Sequence, residues 1–361
     1  MKAFRLMAAL LALLLVLAAC GTDGGASPTA GDDTDETTPP ATGTDAGAGD
    51  DSADWPDELV IGFVPSREAD ALVTTIQPVA DYLSDYLSEQ AGKEITVDGY
   101  VSTDYTGLVT AMQTGQAHIG AFGPFAMLQA VDQADAEIIL QSERFGSGTY
   151  HTQFFTNQPD RYCEDEPVEN TRVVEDEEVT FLNCNGTDRE NEDTPEGPIG
   201  ITALDNLEEG TTVSFVEATS ASGYIFPATV FAVAGFNPES DINPLFAGSH
   251  DASVIAVCQG QAEVGVSFDD ARAVAVSECD IASEVVVFAY GPEIPNDGVA
   301  VSGDLPDNLK TAIQQGLIEY SESEEGAEVL DSIYNINAFT EPNLEAFEIV
   351  RDAVDQLGAG Q

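Results

Sequence analysis

Strand-like and helix-like segments alternate along this chain, which predicts an α/β protein built on mainly parallel sheets covered by helices. Three observations support that prediction. Runs rich in β-branched and aromatic residues recur between helix-length segments. The first of those segments has apolar residues at helical spacing, Leu72, Ile76, Val79, Leu83 and Leu87, the stripe of a helix packed on a core. About 305 of the 361 residues, from Asp57 onward, have globular composition, enough for two domains of ordinary size.

In order, Leu59 to Phe63 reads as a strand, Asp70 to about Gln90 as a helix, and Glu94 to Tyr100 as a strand. A helix from Tyr105 to Thr114 and a strand from Ala117 to Phe122 complete the first series. A second series opens at Thr149 with the strand His151 to Thr156, and an insertion from about Pro159 to Pro198 interrupts it. It resumes with the strand Thr211 to Val216 and a helix from Gly223 onward, with Pro227 near its start. A further helix and strand follow within Val254 to Val266, then a strand from Val285 to Tyr290. Helices around Leu305 to Ser321 and Leu344 to Leu357 end the chain.

Lys2 and Arg5 precede the apolar run Leu6 to Val16, which ends in Leu17-Ala18-Ala19-Cys20-Gly21. That order is a signal peptide (residues 1–19) closed by a lipobox, so Cys20 is expected to carry lipid and to be the membrane attachment of an exported protein. The apolar run is short for a membrane span. Residues 20–56 are mostly Gly, Ala, Thr, Asp and Pro and predict a flexible acidic tether.

Beyond Cys20, the cysteines Cys163, Cys184, Cys258 and Cys279 form an even set suited to an oxidising compartment. Three pairings are possible. The two local ones, Cys163–Cys184 and Cys258–Cys279, are expected, each worth roughly 3 kcal/mol in the chain-entropy model. Cysteine spacing and the scattered His118, His151 and His250 argue against a metal site, and no cofactor is implied.

The formal net charge is −54, and with Lys2 and Arg5 removed nine of the eleven basic residues remain against 65 acidic ones. Such a surface excludes nucleic acid and anionic lipid as partners, so membrane contact is expected through the Cys20 lipid only. The acid concentrates in the tether, in Glu164 to Asp193 and on helix faces, as suits salty surroundings.

Against this negative field one local feature suits an anion. In Glu217-Ala218-Thr219-Ser220-Ala221-Ser222-Gly223-Tyr224 a strand runs into a helix start. Unpaired N–H groups and the positive end of the helix dipole favour negative charge there, and Ser220 and Ser222 add hydroxyl donors. An ordinary serine N-cap would leave the same residues.

The succession Pro65-Ser66, Asp104-Tyr105-Thr106-Gly107, Gly115-Gln116-Ala117-His118-Ile119-Gly120-Ala121-Phe122-Gly123-Pro124, Ser220-Ala221-Ser222-Gly223-Tyr224, Gly248-Ser249-His250-Asp251-Ala252-Ser253 and Pro292-Glu293-Ile294-Pro295-Asn296-Asp297 resembles the PhnD-type phosphate, phosphite and phosphonate binding proteins of ABC importers. Each motif is weak alone; their order from about Leu59 to Leu357 makes the resemblance specific. The resemblance implies a two-lobed periplasmic-binding-protein type II fold with the ligand cleft between lobes. Residues 57–149 and 297–361 would form lobe 1 and 150–296 lobe 2, with crossings near Thr149-Tyr150 and Pro295-Asn296-Asp297 acting as hinges. The partners implied are a small phosphorus oxyanion and an ABC permease with its ATPase. A monomer is expected, because a closing cleft needs free lobes.

Carried over residue by residue, the resemblance implies ligand contacts at Tyr105, Tyr150, Ser220, Ser222, His250, Asp269 and Asp297. Ala221 stands where some members have Thr, which removes one hydroxyl donor. A carboxylate tolerates an oxyanion when a proton or a cationic substituent lies between them. Asp269 facing an ammonium would select an aminoalkylphosphonate, whereas Asp297 accepting from a P–OH would select a monoprotonated form. The insertion around 159–198 departs from the family pattern.

Other readings of the same residues remain. Ser222, His250 and Asp269 or Asp270 could compose a hydrolase triad, although Ser-Ala-Ser-Gly is not the Gly-x-Ser-x-Gly turn. A lipoprotein that senses the same ligand for a membrane signalling partner would carry the same site. An organic-cation binder would need an aromatic box, and the single Trp55 lies at the edge of the tether.

Overall fold

Two mixed sheets, connected by strands that pass between them, organise the protein. The computed structural model describes residues 51–174, 177–187, 198–277 and 279–358, so the signal peptide, Cys20 and nearly all of the tether lie outside the described residues. In chain order the first elements are β1 (Glu58–Phe63), α1 (Ala69–Ala91), β2 (Thr96–Val101), α2 (Tyr105–Gln113), β3 (Ile119–Phe122), α3 (Pro124–Ala134) and β4 (Ala136–Glu143). Then come β5 (Thr149–Thr156), α4 (Pro159–Tyr162), β6 (Val168–Val174), β7 (Glu177–Asn183), β8 (Thr212–Phe215), α5 (Phe226–Val233), β9 (Asn243–Phe246), α6 (His250–Cys258), β10 (Val264–Phe268), α7 (Ile281–Glu284) and β11 (Val286–Pro295). The chain closes with β12 (Gly298–Ser302), α8 (Asp307–Glu322), α9 (Glu324–Tyr334), β13 (Ala338–Thr340) and α10 (Glu348–Leu357).

The first sheet has the order β13-β4-β12-β3-β1-β2 and the second β6-β7-β11-β5-β10-β8-β9. Parallel pairing holds where a helix joins successive strands: β1 with β2 and β3, and β8 with β9 and β10. The strands that carry the chain from one sheet to the other run against their neighbours: β5 is antiparallel to β10 and β11, and β12 to β3 and β4. The expectation of mainly parallel sheets therefore needs correction to mixed ones, because a strand returning from the other sheet enters its own from the opposite end.

The apolar stripe of α1 buries Leu72, Ile76, Val79, Leu83 and Leu87 against one face of the first sheet, with Leu309, Ile313 and Leu317 of α8 beside them. α2 and α3 cover the other face through Leu108, Met112 and Met127. In the second sheet successive residues of β5 point to opposite faces, Phe154 toward Phe231 of α5 and Phe155 toward Val254 and Val257 of α6. Trp55 is buried in the first core and donates Nε1–H to Asn308 Oδ1 at 3.0 Å, so it contributes nothing to an aromatic box. Among the described residues no helix is long and apolar enough to cross a membrane.

Both expected disulfides are present, Cys163–Cys184 and Cys258–Cys279. The first ties the end of α4 to the end of β7. The β6–β7 hairpin of the insertion extends the second sheet by laying β7 parallel to β11. Arg272, fully buried, fastens it: Nη1 donates to Leu182 O at 2.6 Å and Nη2 to Asn183 Oδ1 at 2.9 Å, while Asp270 accepts from Nε at 3.0 Å and from Nη2 at 2.8 Å. Residues 188–197 of the insertion lie outside the described residues.

The two crossings are stitched together. Asn296, fully buried, donates its backbone N–H to Gly148 O at 2.9 Å and its Nδ2 to Ser142 O and Ser147 O at 3.1 and 2.7 Å. Ser142 N donates to Asp297 O at 2.8 Å. The C-terminal α10 buries Val350 and Val354 in a cluster that also holds Ile225 and Phe226 of the second series, so it touches both halves.

Candidate functional site

A cleft of about 440 Å³ is lined from both sheets, and the lining includes the first residues of four helical segments. Tyr105 begins α2, Pro124 begins α3, Ala221 and Ser222 begin the turn into α5, and His250 begins α6. Helix starts carry partial positive charge, so four of them around one cavity favour an anion even where individual N–H groups, such as those of Tyr105 and His250, are bonded within the protein.

The turn into α5 is local in origin. Ser220 stays extended and its Oγ accepts from Gly223 N at 3.2 Å, while Ala221 to Ile225 wind as one π-helical turn before α5. Glycine is required at 223: a Cβ there would sit 2.5 Å from Val216 Cβ and 2.8 Å from Ser220 Oγ. Ser220 is thus the N-cap, and Ser222 is presented to the cleft, where its hydroxyl and backbone N–H meet the Tyr150 phenol. The helix placed from Gly223 onward begins two residues earlier.

His250 follows the N-cap Ser249, whose Oγ accepts from Ala252 N at 3.4 Å. Its Nδ1 lies 2.7 Å from Ser267 Oγ and its ring leans on Phe268, 4.8 Å between centroids. Nε2 is the nitrogen left to meet a ligand. Burial, with Arg144 and Arg67 nearby, lowers its pKa to about 3, so the ring is neutral at physiological pH. A neutral imidazole accepting at Nδ1 from Ser267 presents Nε2–H as a donor. Burial raises the phenols of Tyr105 and Tyr150, which therefore remain O–H donors.

Of the expected contacts, Tyr105, Tyr150, Ser220, Ser222, His250 and Asp297 line the cleft, and Asp269 does not. Asp269 lies beside His151, 4.0 Å from Nδ1, and its charge acts on Arg172 and Tyr290. Its chain neighbour Phe268 is in the lining, whereas Asp269 itself is not. Asp297 lines the cleft and forms an ion pair with Arg144. Burial raises its pKa, and Arg144 acts against that rise.

The lining residues that went unread as site residues include Arg67, Arg144 and Tyr334. Arg144 lies in the turn between β4 and β5, and Arg67 and Tyr334 close the floor of the cleft. The Tyr334 hydroxyl donates to Val64 O at 2.7 Å, leaving Ser66 Oγ beside it buried without a full hydrogen bond. Arg67 adjoins the Pro65-Ser66 motif, which was its available signal; Arg144 had none in its spacing.

The hydrolase triad does not assemble. Asp270 is bound to Arg272, and His250 Nδ1 is occupied by Ser267. Among the described residues no group of His, Cys, Asp and Glu could hold a metal ion. Across the cleft His250 N donates to Ser66 O at 3.0 Å and Tyr105 N donates to Glu217 Oε2 at 3.1 Å.

Residues 61–347 match the model of the ABC-transporter phosphonate periplasmic substrate-binding protein family. The phosphate-import protein PhnD of Mycolicibacterium smegmatis is 25% identical over 223 residues, 60% of this chain, and the match spans 56% of that curated relative's length. Among solved structures, the binding-protein component of an ABC phosphonate transporter from Pseudomonas aeruginosa superposes with a TM-score of 0.63 at 19% identity, over 82% of this chain and 85% of that one. PhnD1 of Prochlorococcus marinus, solved in complex with methylphosphonate, gives 0.64 at 18% identity over 84% of this chain and 98% of that one. At these identities the two structures show the fold, a two-lobed periplasmic-binding-protein type II architecture.

Proposed function

Since the chain belongs to the ABC-transporter phosphonate periplasmic substrate-binding protein family, we propose that it is a monomeric extracytoplasmic lipoprotein, anchored through lipid on Cys20, that binds a phosphorus oxyanion and delivers it to an ABC permease and its ATPase. The observation that carries the reading is the convergence of Ser220, Ser222, Tyr105, Tyr150 and His250 on one cleft lined by helix starts, with arginine beside them. Hydroxyl, phenol, imidazole and amide donors arranged around one point suit a tetrahedral oxyanion. The M. smegmatis relative is named for phosphate import and the P. marinus structure holds methylphosphonate, so phosphate, phosphite and simple phosphonates are the ligands proposed.

Residues 57–149 with 297–361 act as one lobe and 150–296 as the other, hinged at the crossings around Thr149-Tyr150 and Pro295-Asn296-Asp297. The separate sheets support this division, and α10, which touches both halves, is the element it describes least well. Ligand donors come from both lobes, so a bound oxyanion stabilises the closed arrangement over an open one. That closed form is what the permease would engage.

Isothermal titration of the soluble form beginning at Thr22 tests the proposal, with phosphite, methylphosphonate, phosphate and sulfate at low and high salt. A phosphorus ligand is expected to bind at about micromolar Kd or tighter, about −8.2 kcal/mol. His250→Ala should weaken it by about 2 kcal/mol, the loss of one hydrogen bond to a charged group. No heat with any phosphorus ligand would sink the proposal.

A further inference from the structure

Two guanidinium groups meet the cleft where the motifs supply no cation. Arg67 follows β1, and the C-terminal end of α9 holds its fork: Nη1 donates to Ser332 O at 2.9 Å and Nη2 to Asn335 Oδ1 at 2.6 Å. Those bonds take one hydrogen from each Nη, so three of the five N–H groups of this cleft-lining side chain are not used by them. Arg144 is 10% exposed, sits 5.8 Å over the Tyr150 ring and is ion-paired through Nη2 with Asp297. Its Nε–H is buried and, among the described residues, has no hydrogen-bond partner. A buried charged N–H without an acceptor is costly, so this orphan marks where an acceptor belongs.

The charges around the cavity are unequal. Among the lining residues two are guanidinium groups and one is a carboxylate, which is already engaged, and the imidazole is neutral; Asp251 and Asp331 act on Arg67 from outside the lining. Asp269, the acidic residue expected to answer an ammonium, is not among the lining residues and lies 4.0 Å from His151 Nδ1. A ligand bearing only oxyanion charge finds unmatched positive charge and the orphaned Arg144 Nε–H. A zwitterionic ligand would bury its ammonium beside two guanidinium groups with the lining's one carboxylate already paired, leaving its charge poorly matched out of water.

Building on the phosphorus-oxyanion reading above, we propose that Arg67 and Arg144 are specificity-determining residues that admit an oxyanion with an uncharged substituent, or none, and reject one carrying an ammonium group. Arg144, fixed by Asp297 and Tyr150, directs its Nε–H at the oxyanion. Arg67, fixed by α9, contributes the charge that excludes the amine.

The test compares near-isosteres on the soluble form beginning at Thr22. Ethylphosphonate and aminomethylphosphonate differ by CH₃ against NH₃⁺, and phosphate serves as the inorganic reference. Ethylphosphonate is expected to bind at least about 100-fold more tightly than the amine, the scale of one unpaired buried charge. Arg67→Gln should cut that ratio to about 10-fold or less, whereas Arg67→Lys, which keeps the charge, should preserve it. Thermal melts confirm that both variants fold, and a merely structural role would make them behave alike. Equal binding of the two phosphonates, their equal rejection in favour of phosphate, or a ratio that Arg67→Gln leaves unchanged would overturn the inference and leave the proposed function standing. Failure of every phosphorus ligand to bind would overturn the proposed function, and the inference with it.

Discussion

His250 shows how one buried side chain reports on its surroundings. Its folded pKa, about 3, lies below the ordinary histidine value near 6.5 because the ring is buried and faces Arg144 and Arg67. A group with a depressed folded pKa contributes stability that is fully present above its unfolded value and is lost as pH falls toward the folded one. The stability advantage of the wild type over His250→Asn should therefore shrink between about pH 6.5 and pH 3. Urea unfolding of both proteins across that range measures it, and a constant difference would mean the ring is protonated in the folded state. The same residue was legible in advance through its motif, as were Ser220 and Ser222 through their strand-to-helix setting. Arg144 was not, because a lone arginine in a turn has no periodicity, and its meaning arises from Asp297, a residue 153 positions away.

At the scale of elements, periodic segments were readable and punctuated ones were not. The α1 stripe and the β-branched runs of β1, β5 and β8 appear where their residues place them. α3 was missed because Gly123-Pro124 reads as a break, yet proline at the first helical position begins a helix. β4 and β12 were missed too, the first carrying Glu137, Gln141 and Ser142 among its apolar residues, the second being a short five-residue strand just past the crossing. The turn into α5 gives an element-scale prediction. Gly223→Ala forces a Cβ to 2.5 Å from Val216, so the π-helical turn must move. Stability should drop by roughly 1–3 kcal/mol as in other overpacked sites, and ligand affinity should fall more than tenfold because Ser222 moves with the turn. Calorimetric titration beside a thermal melt checks both, and unchanged affinity would detach that turn from binding. The insertion should behave oppositely. Removing Cys163–Cys184 by double serine substitution should lower stability by about 3 kcal/mol, since the bridge closes a loop across 21 positions. Affinity should survive, because β7 keeps its pairing with β11 and its bonds from Arg272.

For the whole molecule the central tension is that a chain of net charge −54 is proposed to capture an anion. The opposing effects act over different lengths. The repulsive field of the acidic surface extends into solvent and is cut off within a Debye length, about 8 Å at 0.15 M and 30 Å at 0.01 M. The attraction of Arg67, Arg144 and the helix starts acts inside a buried cleft, where mobile ions screen poorly. Approach is therefore governed by the surface and retention by the site. Raising ionic strength from about 0.01 M to 0.5 M with a weakly competing salt should increase the association rate several-fold while leaving dissociation nearly constant, the reverse of electrostatically steered capture. Stopped-flow measurements on tyrosine emission can follow it, because Tyr105, Tyr150 and Tyr334 line the cleft while the single tryptophan is buried in the first core. An association rate that falls with salt would mean that the arginines project their field beyond the mouth of the cleft. The acidic surface would then be tuned for solubility without cost to capture. A rate that rises would make high ionic strength the condition under which this protein captures its ligand fastest.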